Sequence, residues 1–138
     1  MQKIFVDTNI VIDLLSRREP YFKEAAVLFS LADKKQIKLT LSSLTIANTN
    51  YVLLTQMDSN KVKSILRKLR LIVKILPLDD KIIGLALNDE LFSDFEDGLQ
   101  YYTAIENEQE LIITRNLKDF KNSKLPVMTA GQFIETVE

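Results

Sequence analysis

Four positions far apart in the chain are suited to a reaction centre built from oxygen donors alone. Asp7 follows directly on the short apolar run Lys3 to Val6. Asp97 lies in the first turns of a segment leading into a second apolar run, Leu111 to Thr114, and Asn116 and Asp119 follow that run. Should the two runs form neighbouring strands, the groups beyond them converge at one end of a sheet. Carboxylates brought together repel one another unless a cation neutralises them, and oxygen donors without imidazole or thiolate select Mg²⁺ or Mn²⁺. The 138 residues contain no His and no Cys. That excludes a Cys/His zinc site, a thiol nucleophile, a Ser-His-Asp triad and imidazole acid/base chemistry. A divalent cation held by carboxylates can activate water and stabilise charge developing on a phosphoryl oxygen. The reaction class predicted from these residues is phosphodiester hydrolysis.

Each acid taken singly also fits a simpler role. Asp7 and Asp94 suit helix N-caps, Asp97 suits the first turn of a helix, and Asp119 suits an Asx-turn. Their joint placement at predicted strand ends is what favours a shared site.

The elements that position these groups read as an alternation of strands and helices. Lys3 to Val6 is a buried strand, and Asp7-Thr8-Asn9 supplies capping residues before the apolar Ile10-Val11-Ile12. Pro20 opens a second helix carrying Ala25, Leu28, Phe29 and Ala32, and Ile37 to Leu41 alternates as a strand. A third helix runs from Leu44 to Thr55. In the stretch from Asp58 to Leu71, Val62, Leu66, Leu69 and Val73 share one helical face while Lys63, Arg67, Arg70 and Lys74 share another. Lys74 to Leu76 is a short strand, Asp79-Asp80 caps a helix from Ile82 to Leu87, and Asp94 caps one reaching Ile105. Leu111 to Thr114 is a strand, Arg115 to Asp119 a loop, Pro126 to Met128 a last strand and Ala130 to Val137 a last helix. The pattern predicts a three-layer α/β/α sandwich with a mostly parallel central sheet, buried on both faces. In such sheets ligands sit beyond the carboxyl ends of the strands, where Asp7 and Asn116 fall.

Composition sets the scale. With 46% hydrophobic and 27% charged residues, residues 1–138 read as a single domain whose core needs no disulfide. The first apolar run ends at Asp7, too soon for a signal peptide, and no run has the length of a membrane span, so a cytoplasmic protein without membrane contact is expected. The net charge of −1 hides a strong segregation: residues 1–74 carry 13 basic against 6 acidic side chains, whereas residues 75–110 carry 1 against 10. Such a chain can hold a cation in one place and a phosphate backbone in another. Lys61 to Lys74 contains six Lys/Arg and no acid, which makes Lys63, Arg67, Arg70 and Lys74 candidates for RNA contact. A solvated face whose aliphatic stems cover the core accounts for the same stripe. Tyr101 and Tyr102 are candidates for base stacking, with Tyr102 placed on the core side beside Leu99 and Ile105.

Three blocks, Phe5-Val-Asp-Thr-Asn-Ile-Val-Ile-Asp13, Asp94-Phe-Glu-Asp-Gly-Leu-Gln-Tyr-Tyr-Thr-Ala104 and Ile112-Ile-Thr-Arg-Asn-Leu-Lys-Asp-Phe120, resemble a PIN domain. In order, spacing and total length they are similar to the small VapC-like ribonucleases of bacterial toxin–antitoxin pairs. The resemblance implies an endoribonuclease using Mg²⁺ or Mn²⁺, with Asp7 and Asp97 as metal-binding acids. Asn116 or Asp119 falls at a further, often acidic position, and Asn9 and Thr114 at positions that support the acids by hydrogen bonding. Asp94, one turn before Asp97, can face the same site. The resemblance also implies a cognate antitoxin and a homodimer.

One departure stands out. The family places a glutamate on the helix after the second strand, and here the matching residue is Asn48. An amide oxygen can still reach a metal, but it brings no charge and cannot act as a base. A non-catalytic module of the same fold, binding nucleic acid or protein, is therefore the second reading. Two other families lack residues that their chemistry requires. A haloacid-dehalogenase-type phosphatase needs an acid where Asn9 stands, and a response-regulator receiver needs an acidic pair at the first strand end.

Overall fold

Short apolar strands alternate with helices that start on capping side chains, and this alternation builds the whole molecule. The computed structural model describes residues 1–137. The order is β1 (Lys3–Val6), α1 (Thr8–Leu15), α2 (Phe22–Asp33), β2 (Lys38–Ser42), α3 (Ser43–Leu54), α4 (Ser59–Leu69) and β3 (Lys74–Leu76). Then follow α5 (Asp80–Asn88), α6 (Phe95–Glu106), β4 (Leu111–Ile113), a 3-10 turn (Leu117–Phe120), β5 (Val127–Met128) and α7 (Ala130–Val137). Asp7, Ser42, Asp58, Asp79 and Asp94 are N-caps whose side chains accept from a backbone N–H of the first turn.

The sheet is parallel throughout, in the order β3-β2-β1-β4-β5. The chain winds outward from β1 to β3 on one side and then returns to place β4 on the other side of β1. The ends of β1 and β4 therefore flank the point where the winding reverses, the place where open α/β sheets leave a crevice. Strand residues alternate between two core layers, as the two-residue strand period demands. Ile4, Val6, Leu39, Leu41, Leu111 and Ile113 pack with α1, α2 and α7, while Phe5 and Ile112 pack with Tyr101 and Ala104 of α6 and with Phe120. Both faces of β1 and β4 are buried, which is why these strands read as apolar runs rather than as alternating ones. Among the described residues no helix is long and apolar enough to cross a membrane.

Most expected elements stand within a residue or two of their predicted bounds. Three details differ. Pro20 lies in the turn before α2, which begins at Phe22. The segment read as loop after β4 contains the 3-10 turn, closed by Asp119 N–H donating to Asn116 O at 3.0 Å and anchored by the buried Phe120. Tyr101 is the core tyrosine of its pair: it is buried, stacks on Phe92 with ring centroids 4.6 Å apart, and its hydroxyl accepts from Lys124 N–H. It is therefore not available to stack on a base. Tyr102 is half-buried and donates its hydroxyl to Asp89.

Candidate active site

Asp7 sits where β1 ends and α1 begins, and that junction fixes it twice. Its backbone N–H continues the sheet by donating to Ile113 O at 2.9 Å, while its side chain caps α1. Four donors converge on the carboxylate. Oδ1 accepts from Thr8 N–H at 2.8 Å and Gln100 Nε2 at 3.2 Å, and Oδ2 accepts from Thr114 Oγ1 at 2.8 Å and Asn9 Nδ2 at 3.3 Å. Asn9 and Thr114, marked by sequence as supports, thus both reach the acid. Thr114 also accepts from Asn116 N–H at 3.0 Å, and so shapes the loop beyond β4.

Gln100 went unmarked in the sequence, yet it ties three elements together. Its Nε2 lies within hydrogen-bond distance of Asp7, Thr8 Oγ1 and Thr45 Oγ1, and its Oε1 accepts from Ser42 Oγ at 2.5 Å. The signal was available, because Gln100 lies one helical turn after Asp97 and so shares its face.

A cavity of about 230 Å³ opens beyond the strand ends. It brings together Asp7, Asn9, Asn48, Asp97 and Asn116 from the predicted set, and adds Glu96, Gln100 and Arg18. Asp97 also borders a second cavity of about 180 Å³, lined by Asp94, Asp119 and Lys118. Asp94 and Asp119 line this second cavity and not the one that holds Asp7, although Asp119 is near enough to repel the Asp7 carboxylate. Asp94 is occupied as the N-cap of α6, accepting from Asp97 N–H at 3.0 Å. None of Lys63, Arg67, Arg70 and Lys74 lines either cavity. All four are exposed, the first two on the outer face of α4, and Lys74 borders a separate groove with Met1 and Lys38.

The electrostatics separate the two central acids. Burial pushes the Asp7 carboxyl up and Asp119 adds repulsion, while the bonds from Thr114, Gln100 and Thr8 pull it down. Asp97 is pushed up to about 7, first by burial and then by the charges of Asp94, Asp7, Asp119 and Glu96. Among the described residues neither acid forms an ion pair, and the Asp97 carboxylate accepts no hydrogen bond from the protein. Among the described residues no three acidic side chains close into a ready-made ligand cage. Asp7 and Asp97, with the amide oxygens of Asn9, Asn48 and Asn116 in the same cavity, are nonetheless the hard oxygen donors that could hold a divalent ion.

Comparison with known proteins leads to the same place. The family described as PIN domain matches residues 3–118. The chain is 31% identical over 140 residues to Ribonuclease VapC1 of Aquifex aeolicus (strain VF5), covering 97% of this chain and 94% of that protein. Among solved structures, VapBC-1 from nontypeable Haemophilus influenzae superposes with a TM-score of 0.71 at 17% identity, covering 94% of this chain and 99% of that one. A toxin–antitoxin complex from Klebsiella pneumoniae gives 0.64 at 24% identity, covering 92% and 97%. These superpositions establish the fold, and the sequence match spans the strand ends that carry Asp7, Asp97 and Asn116. The all-parallel sheet, the acids at its reversal point and the full-length relative converge on one assignment, and the chain is a member of the PIN-domain family of VapC-like proteins.

Proposed function

We propose that this chain is a divalent-metal-dependent endoribonuclease that hydrolyses RNA phosphodiester bonds. The observation that carries the reading is the pairing of Asp7 and Asp97 across one cavity, both with raised carboxyl pKa values and neither matched by a basic side chain. Bound Mg²⁺ or Mn²⁺ would supply a water acidified at neutral pH and a positive charge for the phosphoryl oxygens. The chain's own groups do the rest. Thr8, Gln100 and Thr114 hold Asp7 in one orientation. Asp97, open and titrating near neutrality, can release a proton to admit the cation or take one up. Asn48 and Asn116 offer amides that orient water or a ribose hydroxyl.

The toxin–antitoxin structures that share this fold support a small antitoxin as inhibitor of this chain; a homodimer in the cytoplasm is part of the same proposal. Tyr51 and Leu54 on α3 and Leu87 on α5 are exposed apolar side chains that a partner chain would cover.

The test is cleavage of total RNA by purified protein with Mg²⁺, with Mn²⁺ and with chelator, alongside Asp7→Asn and Asp97→Asn. Metal-dependent cleavage lost in both variants is the expected result. Asn48 in the cavity favours one rival, a non-catalytic module that binds nucleic acid or protein. Intact RNA under every metal, from a folded protein, would install that rival in place of the nuclease.

A further inference from the structure

Arg18 is the sole Lys or Arg among the described residues lining the cavity of Asp7 and Asp97. Three features place it there with its charge only weakly engaged. First, α1 ends in a Schellman turn: Arg18 N–H donates to Asp13 O at 3.1 Å and Arg17 N–H to Leu14 O at 3.4 Å. Second, that turn puts Arg17 at φ 51°, a left-handed conformation usually left to glycine, so the backbone before Arg18 is held in a costly state. Third, Asp13, the one acid within ion-pair distance of Arg18 among the described residues, is already engaged by another base. Its carboxylate takes two hydrogen bonds from Arg115, at 2.7 and 3.2 Å, whereas Arg18 Nη1 stands 4.0 Å away. Arg18 pairs with neither Asp97 nor Glu96 across the cavity. A guanidinium is the side chain best matched to two oxygens of one phosphate.

We propose that Arg18 binds the non-bridging oxygens of the RNA phosphate presented to Asp7 and Asp97, and that Asp13 holds its guanidinium loosely enough to turn toward the strand. The inference rests on the ribonuclease reading of the cavity, which it deepens by placing a substrate contact on α1 rather than on the basic face of α4.

The experiment compares wild type with Arg18→Gln, Arg18→Lys and Arg17→Gln. Arg17→Gln removes the same charge one residue away. Readouts are KM and kcat for cleavage of a short fluorescein-labelled single-stranded RNA, its Kd by anisotropy in chelator at low salt, and Mn²⁺ affinity by calorimetry. Arg18→Gln is expected to raise KM and Kd by about tenfold, Arg18→Lys by less, and Arg17→Gln by under about twofold, with Mn²⁺ affinity unchanged in all three. Equal losses from Arg17→Gln and Arg18→Gln, or none from Arg18→Gln, overturn the proposal. If wild type fails to cleave, the nuclease reading falls and the Kd contrast alone decides for or against Arg18. If wild type fails to bind the RNA as well, both fall.

Discussion

The carboxylate of Asp13 and the guanidinium of Arg115 form a two-point ion pair, Nε to Oδ2 at 2.7 Å and Nη2 to Oδ1 at 3.2 Å, that ties the loop after β4 to α1. The Tyr21 ring covers the guanidinium at 3.9 Å. Because the Asp13 side chain is only 1% exposed, removing Arg115 leaves a buried charge with only the Arg18 guanidinium, 4.0 Å away, to offset it. Arg115→Met should cost about 3 kcal/mol of stability in urea unfolding, and adding Asp13→Leu should recover most of it, since an apolar pair replaces a buried ion pair at little loss. A double variant as unstable as the single one would contradict this account.

Asp97 makes stability and metal affinity run in opposite directions with pH. Its folded carboxyl is raised from 3.8 to about 7, so the folded metal-free protein prefers the protonated acid. The stability this gives is complete below pH 3.8 and is lost as pH climbs through 7. Without metal, the Tm of wild type minus that of Asp97→Asn should therefore increase by a few degrees between pH 8 and pH 5.5. Mn²⁺ binding should weaken over the same interval, by about tenfold per pH unit once below 7, because the ion must displace a proton. Thermal melts and calorimetric titrations at four pH values check both slopes.

Gln100→Leu should damage fold and site together. It strips Ser42 Oγ of its buried acceptor, leaves Thr45 Oγ1 without the amide donor, and removes one of the bonds that hold the Asp7 carboxyl down. Unpaired buried polar groups of this kind cost about 1–3 kcal/mol. The variant should lose about 2 kcal/mol in denaturant, and the pH at which Mn²⁺ binding is half-maximal should move upward. A downward shift would mean that Gln100 does not support the ionised form of Asp7.

Asn48→Asp tests what the departure from the family pattern does. A carboxylate at this position, added to Asp7, Asp97 and Glu96 in the cavity, should tighten Mn²⁺ by about tenfold, since affinity at oxygen sites follows ligand charge. The metal-free variant should melt lower than wild type because of added repulsion, and saturating Mn²⁺ should restore it. Unchanged Mn²⁺ affinity would place Asn48 outside the coordination shell.

The fold was legible because its determinants are local. Apolar runs such as Leu111-Ile112-Ile113 have one simple use in a buried parallel sheet, and Asp58, Asp79 and Asp94 announce their helices as N-caps. Asp7, Asp97 and Asn116 were legible as a group through the rule that ligands gather beyond strand ends. What sequence could not rank was direction. Asp94 and Asp119 share the neighbourhood of Asp97 but face the adjoining cavity, and which side of α6 opens where depends on helix packing. Tyr101 and Tyr102 show the same difficulty, since adjacent helical residues differ by about 100° and a small rotation decides which one enters the core. Arg18 escaped notice because its place depends on a helix end and on Arg115, a residue 97 positions later that occupies Asp13 first.

The bond from Thr114 to Asp7 joins residues 107 apart in the chain, and β4 is the strand that closes β1 on its second side. A ribosome delivers Thr114 only 107 residues after Asp7. Until then β1 has one neighbour, Asp7 lacks one of its two shortest hydrogen bonds, and the loop bearing Asn116 does not exist. Whatever chemistry the cavity performs is therefore withheld from every nascent or prematurely terminated chain that stops short of β4.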